Sequence, residues 1–388
     1  MHLRCGLSRR RRTGLSAVRA AAVAGGLAGA LSTLLGCGAD VRNVPTAGSP
    51  SLTVFNAAGE DLTAYDPNDG FRKQVLVSGG EDEHAGGLSL NGQICFDPAG
   101  TGLLVVGDDA GQPQVTPGWA VLQLHGTHVG DFSVTRAGRL VPTYQHAPDN
   151  FGCGFLSGGR ALTTDIGDSR SGAGNGQLIV WFPPLNASSP HYCKLDIAIG
   201  TAGGIYVDRD EHIYVASARV DPGVYRYTGP FPTADTAAGG CGGHDGTGAP
   251  MVEHLTRERF ITADAHARTP SAIVASGHGT FYVSSVLNGV IAEYDASGKL
   301  VLRILQPPAG EMLGPTPFST GSPFGIGIDA SGTVYYADLG LIAVGLDIGP
   351  GDHTGTVRRI RFANGEPLAP ETMEANLAFP DGIGVVER

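Results

Sequence analysis

The residues of this chain best suited to chemistry are carboxylates and amides at recurring positions beside short apolar strands. Those that precede a strand include Glu83, His84, Asn150, Thr269, Ser322 and Asp381. Those at the end of the following strand include Asp108, Asp109, Asp165, Asp168, Ser217, Arg219, Ser285, Asn288 and Asp338. A ring of such oxygen atoms supplies the six to eight ligands that Ca²⁺ takes. The same ring would polarise the carbonyl group of a lactone or related ester.

A repeat sets the spacing of these residues. Its pattern is a small residue, Gly, an apolar strand, an Asp-x-x-Gly turn and a second apolar strand. The copies begin at Gly87, Gly152, Gly203, Pro270 and Pro323, and the last one reads PFGIGIDASGTVYYAD. Each copy predicts four strands with turns between them. One such sheet cannot bury its apolar face alone, so the pattern predicts an all-β, six-bladed β-propeller of mostly four-stranded blades.

The sixth blade is predicted to join the N- and C-terminal strands of the domain. Its inner strand would be 383–387 and its outer strands 51–56 and 72–77, with one strand not evident from the sequence. A shared blade removes the free strand edges of an open array. Loops before inner strands and after second strands then open on one face, here termed the entrance face, and bring the candidate residues around one axis.

The run at 323–338, echoed at 203–216, resembles NHL-repeat propellers and the wider six-bladed group of SMP-30/gluconolactonase-like and strictosidine-synthase-like proteins. The resemblance extends from about residue 51 onward, and it rests on residues that build turns and packing. In SMP-30-like enzymes a Pro-Asp-Gly at the start of an inner strand supplies a metal-ligating aspartate. Pro380-Asp381-Gly382 matches this tripeptide, whereas the glutamate and two asparagine ligands of that family have no evident match.

Two sets of site residues follow. The candidate Ca²⁺ ligands are Asp381, Asp338, Asp165 and Asn150. The candidate ligand-binding residues are Glu83, His84, Asp108, Asp168, Arg219 and Asn288. For the aspartates that end strands, a structural role in holding the loop backbone is the alternative interpretation.

An export signal is predicted at the N-terminus. Residues 1–19 carry six arginines and no acid, and an apolar segment of small residues then leads to Leu34-Leu35-Gly36-Cys37. This order is typical of a signal peptide and resembles a bacterial lipoprotein signal. We expect 1–36 to be removed, Cys37 to carry lipid, 37–50 to form a flexible tether and 51–388 to form the propeller. The arginine run at 9–12 leaves Sec and twin-arginine export both open.

Charge argues against nucleic acid as a partner. Six of the 26 basic residues lie in the signal, whereas none of the 37 acidic residues does, so the mature chain is strongly acidic. Such a surface repels phosphate backbones. We expect a monomeric domain held by its lipid at the bacterial cell envelope, in the outer membrane or periplasm of a Gram-negative cell.

Four cysteines fall in the propeller. An even number in an exported chain predicts two disulfides. Cys95 and Cys153 lie on predicted inner strands of successive blades, and Cys193 and Cys241 lie near outer-strand turns of the next two. We therefore predict the bonds Cys95–Cys153 and Cys193–Cys241.

Two functions from different classes remain open. The first is a lipid-anchored propeller that binds a small ligand, a glycan or a protein partner, with binding loops supplied by the insertions 110–118, 230–250, 306–322 and 339–355. The alternative is a calcium-dependent lactonase or esterase of the SMP-30/gluconolactonase-like type. A purely structural envelope component is a third interpretation. Carboxylates that hold a cation would favour the enzyme, whereas an apolar axis would favour the binding protein.

Overall fold

The described strands form six large sheets around one axis and two additional two-stranded hairpins. The computed structural model describes residues 51–79, 88–109, 116–143, 148–167 and 174–388, and the predictions for Cys37, Glu83, His84 and Asp168 lie outside them. Within these ranges the helical segments are two single 3₁₀ turns, Ser157–Gly159 and Val286–Asn288. No helix in the same ranges is long and apolar enough to cross a membrane. The predicted all-β, six-bladed propeller is confirmed.

The blades follow one another along the chain, apart from the closing blade, which takes strands from both ends. Its three outer strands are β1 (Leu52–Ala58), β2 (Asp61–Asp66) and β3 (Arg72–Val77). The second blade contains β4 (Leu90–Phe96), β5 (Leu103–Asp108), β6 (Gly118–His125) and β7 (Ser133–Leu140). The third contains β8 (Asn150–Leu156), β9 (Arg160–Asp165), β10 (Gly176–Trp181) and β11 (Tyr192–Ile199).

The fourth blade carries an insertion between its third and fourth strands. Its strands are β12 (Ala202–Val207), β13 (Ile213–Ser217), β14 (Gly223–Thr228), the short inserted β15 (Gly243–His244) and β16 (Pro250–Met251), and β17 (Thr256–Thr262). The fifth blade contains β18 (Pro270–Ala275), β19 (Phe281–Ser285), β20 (Val290–Tyr294) and β21 (Leu300–Leu305).

The sixth blade carries two hairpins. Its strands are β22 (Pro323–Ile328), β23 (Val334–Asp338), the hairpin β24 (Leu341–Val344) and β25 (Asp347–Pro350), β26 (Gly355–Ile360), the hairpin β27 (Phe362–Ala363) and β28 (Glu366–Pro367), and β29 (Glu371–Leu377). The last strand, β30 (Pro380–Glu387), is the inner strand of the closing blade.

The closing blade has four strands in the order β3-β2-β1-β30. The strand that the sequence did not reveal is β2, which joins β1 through the tight turn at Gly59 and Glu60. Both turn residues have positive φ, 57° and 79°, as the favoured two-residue hairpin turns require. A glutamate at such a position is uncommon, so the Asn-Gly or Asp-Gly signal of a hairpin is missing.

Apolar side chains fill each gap between neighbouring blades. Six buried clusters lie between successive blades, and the one between the sixth blade and the closing blade packs Val54, Tyr65, Tyr335 and Ile383 together. Burial of both sheet faces explains why the strands read as nearly continuous apolar runs. The closure therefore depends on packing as well as on the β1–β30 hydrogen bonds.

Both predicted disulfides are present. Cys95 and Cys153 join the inner strands β4 and β8, with Cα atoms 5.8 Å apart. Cys193 and Cys241 join β11 to the insertion of the fourth blade, with Cα atoms 6.1 Å apart. Cys193 thus belongs to the same blade as Cys153, rather than to the next one.

The insertion 230–250 lies elsewhere than expected. It connects the third and fourth strands of its blade, so it leaves from the face opposite the entrance. Its strands β15 and β16 extend the third blade to six strands, with β16 parallel to β11. Buried Lys194 pairs with Asp245 there and reinforces the disulfide. The loops 306–322 and 339–355 do lie on the entrance face, because they precede β22 and follow β23.

Candidate functional site at the entrance face

The same type of hydrogen bond recurs at the entrance face of five blades, once in each. The last residue of the second strand accepts it through its side chain, and the backbone N–H just before the inner strand donates it. The pairs are Asp108–Ser89 at 3.1 Å, Asp165–Asp149 at 2.9 Å, Ser217–Thr201 at 3.3 Å, Ser285–Thr269 at 3.0 Å and Asp338–Ser322 at 2.6 Å. We term these side chains the loop clamps.

Three of the predicted site residues are aspartate clamps, and each of them binds partners within its own blade. Asp338 pairs with Arg358 at 3.0 Å and also accepts the backbone N–H of Gly340. Asp108 pairs with Arg139 at 3.0 Å. Asp165 accepts a second backbone N–H, from Gly167. These bonds give the three carboxylates the loop-holding role that the sequence offered as an alternative.

Two further predicted residues hold loops in the fourth and fifth blades. Arg219 follows the Ser217 clamp and is half-buried, and its backbone oxygen lies 3.4 Å from the Ser217 hydroxyl. The Asn288 side chain accepts a hydrogen bond from Ser285 and donates to the carbonyl oxygen of His266. These hydrogen bonds tie Arg219 and Asn288 to the loops of their own blades.

The closing blade departs from this pattern. Register places Pro380 opposite Ala58, the position of the clamp in other blades, and alanine cannot accept the hydrogen bond. The acid of this blade is instead Asp381, the second residue of its inner strand. Second residues of the six inner strands form what we term the axial ring: Asn91, Phe151, Gly203, Ser271, Phe324 and Asp381.

Glycines hold this ring tightly around the axis. The residue after the ring position is glycine in five of the six inner strands. A Cβ on Gly325 would lie 2.4 Å from the Asp381 carbonyl oxygen, and one on Gly382 would lie 1.6 Å from that of Gly92. The third member of each inner strand must therefore be small for the next strand to approach. This is the physical reason for the Gly in the sequence repeat.

The ring has aromatic residues on two opposite sides. Phe151 and Phe324 belong to the third and sixth blades, and their ring centroids are 4.4 Å apart. Their contact spans the axis and divides the mouth of the propeller. The side bounded by the closing blade and the second blade carries the polar ring residues Asp381 and Asn91.

Asp381 is buried without a charged partner among the described residues. It is 3 % exposed, and its Oδ1 atom has no hydrogen-bond partner. Burial raises the pKa of Asp381 to about 8; a hydrogen bond from the Gly92 backbone opposes this rise, and the charge of Asp109 adds to it. A carboxyl group in this state favours either a proton or a cation.

Asp381 is linked to three further side chains, through the charge of Asp109 and the hydrogen bonds that Asn91 and Asn150 donate to Asp109. Burial also raises the pKa of Asp109, although hydrogen bonds from Asn91 and Asn150 lower it in part. Asp109 stands at the solvent edge of the group. We term Asp381, Asp109, Asn91 and Asn150 the axial oxygen cluster.

The two amide oxygens of this cluster have no partner in the described part of the chain. Asn150 is 4 % exposed, and its Nδ2 donates to the carbonyl oxygens of Asp108 and Gly118, which leaves Oδ1 facing the other way. A Cβ at Gly107 would lie 2.2 Å from Oδ1 of Asn91 and 2.8 Å from that of Asn150. Both oxygens therefore pack against Gly107, where any larger residue would displace them.

Sequence reasoning found Asp381, Asn150 and Asp109 but missed Asn91 and the two phenylalanines. Asn91 precedes Gly92 just as Asp381 precedes Gly382. The residue before the repeated glycine was therefore the signal that marks the ring. No group of three or more His, Cys, Asp or Glu side chains able to hold a metal ion is found among the described residues. The axial oxygen cluster reaches four groups only because two of them are amides.

No protein-family model matches the chain, and no curated protein matches it in sequence. Solved structures do resemble it. One is a chain of a nidogen/laminin complex, with 11% identity, a TM-score of 0.52, and coverage of 86% of this chain and 98% of that one. Others are a gluconolactonase from Xanthomonas campestris, with 14% identity, a TM-score of 0.44 and coverage of 72% and 76%, and a calcium-binding regucalcin from Agrobacterium tumefaciens, with 14% identity, a TM-score of 0.45 and coverage of 77% and 85%. These likenesses show the fold alone.

Proposed function

We propose that this protein is an exported propeller that binds Ca²⁺ at the axial oxygen cluster and uses the ion to hold a small oxygen-bearing ligand. The observation that carries the proposal is the set of buried oxygen atoms without hydrogen-bond partners on Asp381, Asn91 and Asn150. An unpaired buried polar atom costs roughly 1–3 kcal/mol, so three of them at one place point to a missing partner. Since all three are acceptors, that partner is a donor or a cation.

The chemistry of the cluster favours Ca²⁺ over other cations. Its groups are carboxylate and amide oxygens, and the described part of the cluster contains neither imidazole nor thiolate. Asp381 and Asp109 repel each other when both are ionised, and a cation relieves that repulsion. Two carboxylates and two amides leave coordination positions for a ligand, whose oxygen the bound ion would polarise.

A calcium titration of the purified protein tests this proposal. Calorimetry should show one site in the wild type and a loss of affinity of at least tenfold in Asp381→Asn, because the substitution removes the charge and keeps the size. Asp352→Asn is the matched control, since Asp352 is an exposed acid in an entrance-face loop. The absence of calcium binding in the wild type, or equal binding in both variants, would refute the proposal.

Hydrolysis of a lactone or ester is the second candidate. It is favoured by the different surroundings of the two carboxyl groups, since Asp381 is enclosed and Asp109 reaches solvent. In this scheme Asp109 would take the proton of the water that attacks the carbonyl carbon and return it to the leaving oxygen as the acyl C–O bond breaks, while Asp381 and the two amides would hold the ion. Asp109→Asn should then abolish calcium-dependent acid release from a lactone while calcium still binds. No acid release by the wild type from a panel of lactones would leave the binding function alone.

The proposed location is the cell envelope, through lipid on Cys37. Two disulfides fit an oxidising compartment outside the cytosol. Cys37→Ala should prevent lipidation, so the protein should move from the membrane fraction to the soluble fraction of fractionated cells. Cys5→Ala is the control, because it leaves the Leu-Leu-Gly-Cys sequence intact. Unchanged membrane partition of Cys37→Ala would rule out the anchor.

A further inference from the structure

An apolar cluster adjoins the axial oxygen cluster on the entrance face. It contains Val286, Leu339, Leu341 and Ile348, with the partly buried Leu287, Leu313, Phe324, Ala343 and Phe379 packed against them. All of these residues lie in entrance-face loops or at the beginning of an inner strand. They belong to the fifth, sixth and closing blades. The cluster is separate from the six that fill the gaps between blades.

Two chain connections join this apolar cluster to the oxygen atoms. Phe324 belongs to the axial ring, where it contacts Phe151, the residue after Asn150. The next residue, Gly325, lies directly against the Asp381 backbone. Phe379 is two residues before Asp381 and adopts a left-handed φ of 48° that a bulky residue rarely adopts. The apolar cluster and the axial oxygen cluster are therefore linked on the entrance face through Phe324 and Phe379.

The apolar side continues outward onto exposed side chains. The hairpin β24–β25 leans on the loop 306–322, where Ala343 donates a hydrogen bond to the Gly314 carbonyl oxygen. Met312 is 82 % exposed and Leu346 is 90 % exposed at the ends of these two segments. Exposed apolar side chains on two segments beside a polar site favour a surface for a ligand or a partner.

We infer that the ligand is amphipathic, with an acyl oxygen head at the cation and an aliphatic chain along Phe324, Leu313 and the β24–β25 hairpin. The inference deepens the proposed function and rests on it, since the head group needs the ion. Burial of each methylene against the apolar wall should strengthen binding about fourfold, the value that corresponds to about 0.8 kcal/mol. A hydrophilic sugar acid would gain nothing from this wall.

Straight-chain carboxylates are suitable probes. We would measure binding of acetate, butanoate and octanoate to the calcium-loaded protein, below the concentrations at which octanoate self-associates. Octanoate should bind at least tenfold more tightly than butanoate, and Asp381→Asn should weaken both. Leu313→Ser and Met312→Ser should reduce the dependence on chain length without changing calcium affinity. Val301→Ser is the matched control, because Val301 is 55 % exposed on the outer strand β21.

The outcomes separate the two proposals. If calcium binds but acetate and octanoate bind equally, the amphipathic ligand is wrong and the calcium site stands. If calcium does not bind, both are wrong. If octanoate fails to bind while Leu346→Ser reduces binding to phosphatidylcholine vesicles, the apolar surface is a membrane contact and the inference is overturned. If Val301→Ser affects octanoate as strongly as Met312→Ser, the binding is non-specific and the inference likewise falls.

Discussion

The entrance face carries two kinds of aspartate that differ in their partners. The clamp aspartates of the second, third and sixth blades end second strands and hold the backbone before an inner strand. Asp381 of the closing blade stands one residue inside an inner strand, buried and without an arginine. The comparison teaches that a carboxylate on the entrance face holds its loop when it ends a second strand, and that Asp381, at another position, keeps an oxygen atom without a hydrogen-bond partner.

The same comparison explains why the proposed site falls in the closing blade. In that blade the clamp position is Ala58, which cannot bond the chain before β30. The chain there is held by pairing between β1 and β30, from Leu52 opposite Glu387 to Ala58 opposite Pro380. Asp381 therefore does not make the loop-holding hydrogen bond of the other blades, and its Oδ1 atom has no hydrogen-bond partner.

Among single substitutions at neutral pH, loss of a clamp should have the largest effect on stability. Asp338→Ala removes the carboxylate that Arg358, Ser322 and Gly340 share, and leaves a largely buried guanidinium without its partner. The free energy of unfolding should fall by about 3–5 kcal/mol, as for other broken buried pairs. Denaturant titration would measure it, with Asp352→Ala as the exposed control that should change little. A decrease in the free energy of unfolding below about 1 kcal/mol would show that Asp338 has no structural role.

Calcium should stabilise the folded state by a smaller free energy, and only one of the two kinds of aspartate should be needed for this effect. At a calcium concentration one hundred times the dissociation constant, binding stabilises the folded state by about 2.7 kcal/mol. Melting of the wild type should therefore rise with calcium and fall with chelator. Asp381→Asn should melt at the same temperature in both conditions, whereas Asp338→Asn should keep the calcium shift. A shift that disappears in Asp338→Asn and persists in Asp381→Asn would reverse the assignment.

The calcium-free protein should lose stability gradually as pH rises, by less per pH unit than either of the other two effects. Since the pKa of Asp381 is raised to about 8, the folded state keeps a proton that the unfolded state loses near pH 4. The stability contribution is complete below pH 4 and is lost as pH rises to 8, by about 1.4 kcal/mol per unit. Asp381→Asn should lack this slope when unfolding is followed in chelator between pH 5 and 8. Parallel curves for the two proteins would contradict the burial of an uncompensated acid.

Much of the fold could be predicted because the repeat is a local signal. The small residue, the glycine and the turn aspartate recur wherever an inner strand begins and turns back, and five blades were located from them. Strand β2 was missed because Gly59 and Glu60 form its hairpin without the usual turn residues. The insertion 230–250 was placed on the wrong face because its side depends on which two strands it connects.

The candidate site was predicted only in part. Asp381 was found from a tripeptide and Asn150 from its position before a strand, and the structure places both beside Asn91. Asp338 and Asp165 looked equivalent to Asp381 in sequence, since each is an acid near a strand end. Their separation depends on hydrogen bonds from residues about 16 positions away and, for Asp338, on the ion pair with Arg358.

The sequence by itself determined the number of blades, the pairing of the four cysteines in two disulfides and the presence of an acid at the closing blade. These follow from periodicity and from the types of residue at strand ends, which act locally. Only the tertiary structure decided which aspartates find hydrogen-bond or ion-pair partners for their oxygen atoms. That outcome depends on the ring closure, which brings Asp381 at one end of the domain against Gly92 near the other. No local pattern contains a contact between residues that far apart in the chain.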